Sequence, residues 1–205
     1  MDIVFLIKGL IIGFSIAAPV GPIGVLCIQR TIAHGRASGL LTGLGAATAD
    51  GFYGAVAAFG LTVVSNFLVG QQFWFRLIGG IFLLYLGLRT FLSKPAEKTA
   101  TENHQSLFSD YFSTVFLTLT NPTTILSFVA VFAGLGLGST NGDILSAILM
   151  VVGVVIGSAL WWLILSGGVS LFRTKFNVSS LKIVNYISGV IITVFGLVAF
   201  TSILK

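Results

Sequence analysis

Few side chains in this 205-residue chain could do chemistry. Asp50 is the one ionisable group set deep inside an apolar run, GLGAATADGFYGAVAAFG. A carboxylate at mid-bilayer costs roughly 2.5–3.5 kcal/mol on insertion scales, so it must face a protein interior and either pair or hold a proton. Such a group can load and unload a proton; a purely structural, hydrogen-bonded role is the competing reading. The second candidate is backbone. AAPVGPIG (17–24) sets Pro19, Gly21 and Pro22 inside the first apolar run, and TNPTTIL sets Asn121, Pro122 and Thr123 inside the fourth. Proline removes a donor and clashes with the preceding turn. In lipid, broken backbone survives only against protein or a watery cavity.

Asn is a good N-cap and Pro is at home at the first helical position. New half-helices are therefore expected at Pro22 and Pro122. Two such N-termini near the membrane centre would aim N–H groups and positive dipole ends into one cavity, which suits a carboxylate. The plainer alternative is a pair of proline kinks repaired by neighbouring helices, with Ser15 or Thr120 helping.

Other chemistry is sparse. There is no GxxxxGK[ST] phosphate loop, and Cys27, the single cysteine, excludes a disulfide framework or a Cys-rich metal site. His34 and His104 fall in expected loops. An intramembrane aspartyl protease needs two carboxylates, whereas Asp110 and Asp143 lie at span ends, where they read as helix N-terminal charges. Ala46 and Gly54 share a helix face with Asp50, beside a stripe of Gly43, Ala47 and Gly51; small residues at that spacing point to helix packing. Trp161, Trp162 and Tyr53 could line a cavity, but bulk in the packing is the simpler reading. The chain is expected to be neither an enzyme nor a holder of a cofactor or metal.

The elements that must position these groups are membrane spans. Mean hydropathy is +1.04. Charged residues are 8% of the chain against about 25% in soluble domains, too few to cover a soluble surface. An all-α integral membrane protein follows, its partner the lipid bilayer. Apolar runs cover about 3–29, 39–66, 72–92, 111–138, 143–172 and 183–204, each near the ~20 residues that cross the hydrocarbon core. No basic segment precedes the first run, which argues against a cleaved signal peptide.

Residues 93–109 form a polar linker that divides the chain into 1–92 and 110–205, three spans each. GIFLLYLG (80–87) and GVIITVFG (189–196) share their glycine spacing, and spans 1 and 4 share a proline break. Two successive copies of three spans must insert in opposite senses, so the reading is an inverted repeat, an arrangement secondary transporters use. Arg30, Arg36, Arg89, Lys94, Lys98, Arg173, Lys175 and Lys182 fall on one side; Lys8, Arg76 and Lys205 fall on the other. The richer side should be cytoplasmic, with the linker there and both termini outside. The formal charge of +5 then reflects orientation rather than nucleic-acid binding.

PVGPIGVLCIQRTIAHGRASGLLTGLGAATAD, together with NPTTILSF in the fourth span, resembles the LysE/RhtB family of amino-acid exporters through nearly the whole chain. The resemblance implies ion-gradient-driven export of amino acids or similar small zwitterions, a homo-oligomer such as a dimer, and the plasma (inner) membrane of a bacterium. It places Pro19, Gly21, Pro22, Asp50, Asn121 and Pro122 at functional positions. The basic-amino-acid branch carries an acidic residue six positions after the span-4 Asn; here Ser127 stands there, which favours neutral substrates. The combined expectation is an exporter with protons as the coupling ion. Asp50 would be the coupling group, and the substrate would bind at Pro19, Gly21, Pro22, Asn121, Pro122 and Thr123. A cation exporter and a non-transporting membrane scaffold are the alternatives, although one carboxylate is sparse ligation for a divalent ion.

Overall fold

A computed structural model describes residues 3–19, 21–59, 67–93, 107–134, 144–173 and 178–201. Its elements are α1 (Ile3–Ala17), α2 (Pro22–His34), α3 (Arg36–Ala58), α4 (Gln72–Leu92), α5 (Leu107–Leu119), α6 (Pro122–Gly134), α7 (Ile144–Phe172) and α8 (Val178–Thr201), with no strand among the described residues. Of these, α4, α7 and most of α8 are each long and apolar enough to cross a membrane alone. Two bent pairs add up to two more spans: α1 with α2, inclined at 79°, and α5 with the first part of α6, inclined at 59°. Both bends fall at the prolines. With 23 residues, α3 is long enough to cross but less apolar in composition, and most of its Gly-, Ala- and Thr-rich surface is buried.

The first apolar run goes further than its hydropathy suggests. α2 continues to His34, which belongs to the helix rather than a loop, and the single residue Gly35 joins it to α3. Gly35 has φ +105°, a conformation that glycine adopts without steric cost. Its amide closes α2 on the Thr31 carbonyl at 3.1 Å. α5 starts at Leu107, inside the segment read as linker; 94–106, with His104, and Asp143 lie outside the described residues.

Glycine sets the closest helix pairs. α1 runs parallel to α7, and a Cβ at Gly9 or Gly13 would collide with the Met150 or Val154 carbonyl. Gly153 and Gly157 meet the Leu6 and Leu10 carbonyls in the same way. Each helix thus offers a glycine pair at i, i+4 spacing, which lets two backbones meet without side chains between them. α4 packs antiparallel on α8: Gly80 lies against Gly196 and Ala199, and Gly87 against Gly189 and Thr193. The glycines that the two sequence segments share therefore face one another. On α3, Gly43 abuts Trp162 and Gly51 abuts Val155, so its small stripe packs helices as expected.

Two apolar clusters lie on either side of the breaks. One holds Ile12, Tyr53, Ile125, Phe128, Met150 and Val154. The other holds Ile23, Leu26, Cys27, Leu83, Leu117, Trp162 and Ile192. Beyond the second cluster, one end of the bundle is tied by a polar network. Arg30, read from sequence as a loop charge, is buried on α2. Its Nε sits 3.2 Å from Asp110 Oδ1. Its Nη1 donates to Thr42 Oγ1, Thr114 Oγ1 and the Asp110 carbonyl at 3.0–3.1 Å, and its Nη2 donates to Ser113 Oγ at 2.9 Å. Ser38 Oγ donates to Asp110 Oδ2. Asp110 does occupy the first turn of α5, but it is buried and paired rather than a free N-terminal charge. Nearby, Gln29 Nε2 donates to Asn185 Oδ1 at 2.9 Å, and Arg173 Nε donates to the Ile32 carbonyl at 3.1 Å. These bonds join α2 to α3, α5, α7 and α8.

Candidate functional site

The break between α5 and α6 is closed by its own residues. Asn121 Oδ1 accepts the Thr123 N–H at 3.0 Å, and the Asn121 carbonyl accepts the amides of Thr124 at 3.1 Å and Ile125 at 3.3 Å. Pro122 has no N–H to satisfy. The first turn of α6 therefore has no spare donor. The carbonyls freed upstream are also occupied. Tyr53 Oη donates to the Leu119 carbonyl at 2.6 Å, and the Asn121 amide donates to the Thr118 carbonyl at 3.2 Å. Thr120 Oγ1 bonds back to the Phe116 carbonyl at 2.8 Å, the help expected of it. Tyr53 is thus more than packing bulk.

The break between α1 and α2 is built differently. Gly21 is the N-cap of α2, with extended backbone and no side chain to offer. Pro22 again lacks an N–H, and the Val25 amide bonds the Gly21 carbonyl at 3.1 Å. Between them, the amides of Ile23 and Gly24 find no acceptor among the described residues. A side chain at position 21 would meet nothing within 4 Å. This N-terminus stays open.

Asp50 lies at mid-length of α3 and is 4% exposed. Ser158 Oγ donates to its Oδ2 at 2.6 Å, and Trp162 Nε1 donates to Ser158 Oγ at 3.2 Å. Because Ser158 accepts from the indole, its own proton goes to the carboxylate. The second carboxyl oxygen has no donor among the described residues. Trp162, read from sequence as packing, orients this chain and also lines the site.

All seven residues singled out from sequence meet in one cavity of about 440 Å³: Pro19, Gly21, Pro22, Asp50, Asn121, Pro122 and Thr123. This volume lies in the range of small-molecule sites. Ile23, Gly24, Thr118, Ser127 and Trp162 line it as well. Its wall continues along α4 and α8 through Arg76, Gly79, Val198 and Ala199, toward the end of the bundle opposite Arg30. No member of the Arg30 network lines it. Asp50 is its one acidic lining residue, and the two N-termini supply partial positive charge. The cavity thus has an anionic and a cationic pole within a mostly apolar wall. Sequence reasoning passed over Thr118 and Ser158, because a lone hydroxyl in an apolar helix carries no periodic signal, and it set the cavity-lining reading of Trp162 below packing.

Paired broken helices around a cavity with a buried carboxyl are an arrangement that membrane translocators use. The LysE type translocator family matches residues 14–202, and the chain belongs to that family. It is 28% identical over 192 residues to the "Putative amino acid efflux protein YcgF" of Bacillus subtilis (strain 168), covering 91% of this chain and 90% of that one. It is 28% identical over 176 residues to the "Uncharacterized membrane protein YahN" of Escherichia coli (strain K12), covering 83% and 77%. No solved structure matches the chain.

Proposed function

We propose that this protein is a secondary transporter that exports amino acids, neutral in preference to basic, across a bacterial inner membrane in exchange for protons. The observation that carries this reading is the pairing of Asp50 with the open α2 N-terminus in one cavity. A zwitterion presents an ammonium to the first and a carboxylate to the second. Ammonium and proton compete for the carboxyl oxygen that Ser158 leaves free. Exchange follows from that competition, because the loaded site holds one or the other. A basic side chain would need a second acid, and Ser127 and Arg76 stand in the wall instead.

The alternating element is a pair of inverted three-span units. Supporting this, the Gly80–Gly196 and Gly87–Gly189 contacts interchange when one unit is exchanged for the other. The Arg30 end carries Arg36, Arg89, Arg173 and Lys182, which makes it the cytoplasmic end, with both termini outside. The cavity runs the other way, so the described conformation faces outward with its cytoplasmic side locked by Arg30 and Asp110. A homo-oligomer is part of the reading, supported by the family alone.

The test is efflux from proteoliposomes preloaded with mixed amino acids under an imposed pH gradient, comparing wild type with Asp50→Asn. Selective efflux of neutral amino acids should fall by about 100-fold or more in the variant, as expected for an essential proton-exchanging group. Full proton-driven export by Asp50→Asn would sink the mechanism.

A further inference from the structure

We propose that Thr118 binds the headgroup of the transported amino acid, its hydroxyl serving beside the open N-terminus of α2 as a contact common to every substrate. This rests on the amino-acid reading above. Thr118 is 1% exposed, and its Oγ1 is a buried side-chain polar atom with no hydrogen-bond partner among the described residues. Helical threonines ordinarily bond back to the carbonyl four residues earlier. Thr31, Thr42, Thr114, Thr120 and Thr193 all do so, at 2.7–2.9 Å. Thr118 withholds its hydroxyl from that bond although it sits between two threonines that make it. An unpaired buried hydroxyl destabilises the fold. A ligand that supplies the missing partner recovers that loss on binding.

The surroundings identify the ligand's end. Thr118 on α5 lines the same cavity as Asp50 on α3 and as Ile23 and Gly24 on α2, whose amides find no acceptor among the described residues. Three elements thus bring a hydroxyl, two N–H donors and a carboxyl group, each with capacity to spare among the described residues, to the wall of one cavity. An α-amino acid headgroup uses all of them. The remaining wall toward Arg76 is apolar, with Leu83, Phe195 and Val198, and takes the side chain. Because Thr118 touches the common part of the substrate, its loss should weaken all substrates alike and leave their ranking unchanged.

The experiment measures efflux kinetics of neutral L-amino acids from proteoliposomes carrying wild type, Thr118→Val or Thr118→Ser, with melting of each protein in detergent. Thr118→Val should raise the half-saturation constant about tenfold for each exported amino acid, the worth of one hydrogen bond to a charged group, at little change in maximal rate. Its ligand-free melting temperature should equal or exceed that of wild type, since no protein partner is lost. Thr118→Ser should restore affinity. Unchanged half-saturation constants in Thr118→Val, alongside wild-type export, would overturn this assignment alone. A melting loss in Thr118→Val that tracks its transport defect would overturn it too, by making the residue structural. A wild-type protein that exports no amino acid would overturn the proposed function and this inference with it.

Discussion

The two broken spans use the same device, a proline at the first position of a half-helix, and differ in almost everything else. α2 is buried along ten of its thirteen residues, and its far end is bound through Arg30 and Gln29 to α5 and α8. α6, of the same length, buries Ile125 and Phe128 among its described side chains, while Thr123 and Leu126 are exposed. The termini reverse this order. α2 starts with donors at Ile23 and Gly24 that find no acceptor among the described residues, and α6 starts with every donor occupied by Asn121. A backbone site needs its donors fixed in place before a ligand arrives, and packing fixes α2 from the side and from below. On the proposed reading α6 is the half-helix that moves, and a moving end would lose a carboxylate, which fits its internal sealing by Asn121. On that reading, the first break binds and the second pivots.

The strongest way to break this contrast is to release α2. Asp110→Ala leaves Arg30 buried without its counter-charge, and should cost about 3–5 kcal/mol of stability. Chemical denaturation in detergent, with cysteine labelling of α2 from the Arg30 side, should report both the loss and the opening. A smaller effect is expected from giving the first break the cap of the second. Gly21→Asn fits, since its backbone is extended and a Cβ there meets nothing within 4 Å. Its side chain would occupy the α2 donors, gaining a few tenths of a kcal/mol while efflux affinity falls about tenfold for the lost charge-assisted bond. Undiminished affinity would mean that the substrate carboxylate binds elsewhere. The mildest change is Tyr53→Phe, which strips the Leu119 carbonyl of its donor. About 1 kcal/mol of stability should go, read as a lower melting temperature with transport nearly intact.

What the sequence disclosed, and what it hid, follows from distance along the chain. Pro19, Pro22 and Asn121-Pro122 act on their own backbone, so the breaks were legible from a few residues. Asp50 was legible because one carboxyl in an apolar run must face inward. The Arg30–Asp110 pair was not, because its members stand eighty residues apart and each sits where a span end resembles a loop. Ser158 is 108 residues from Asp50, and nothing local sets it apart from other small residues of α7. The asymmetry of the breaks was half visible. Asn121 announced a cap, while the absence of one at Gly21 gains its meaning from the cavity in front of it. The glycine repeat at 80–87 and 189–196 pointed to likeness between the halves, and the structure shows that these residues also touch each other.

The glycine contact between α1 and α7 carries a last consequence, for the making of the protein rather than its working. α1 is synthesised more than a hundred residues before α7, the helix whose groove it fits through Gly9 and Gly13 against Met150 and Val154. Until α7 is synthesised, α1 must wait in the bilayer with its smooth face against lipid, and any nascent chain cut short before Ile144 leaves it without a mate.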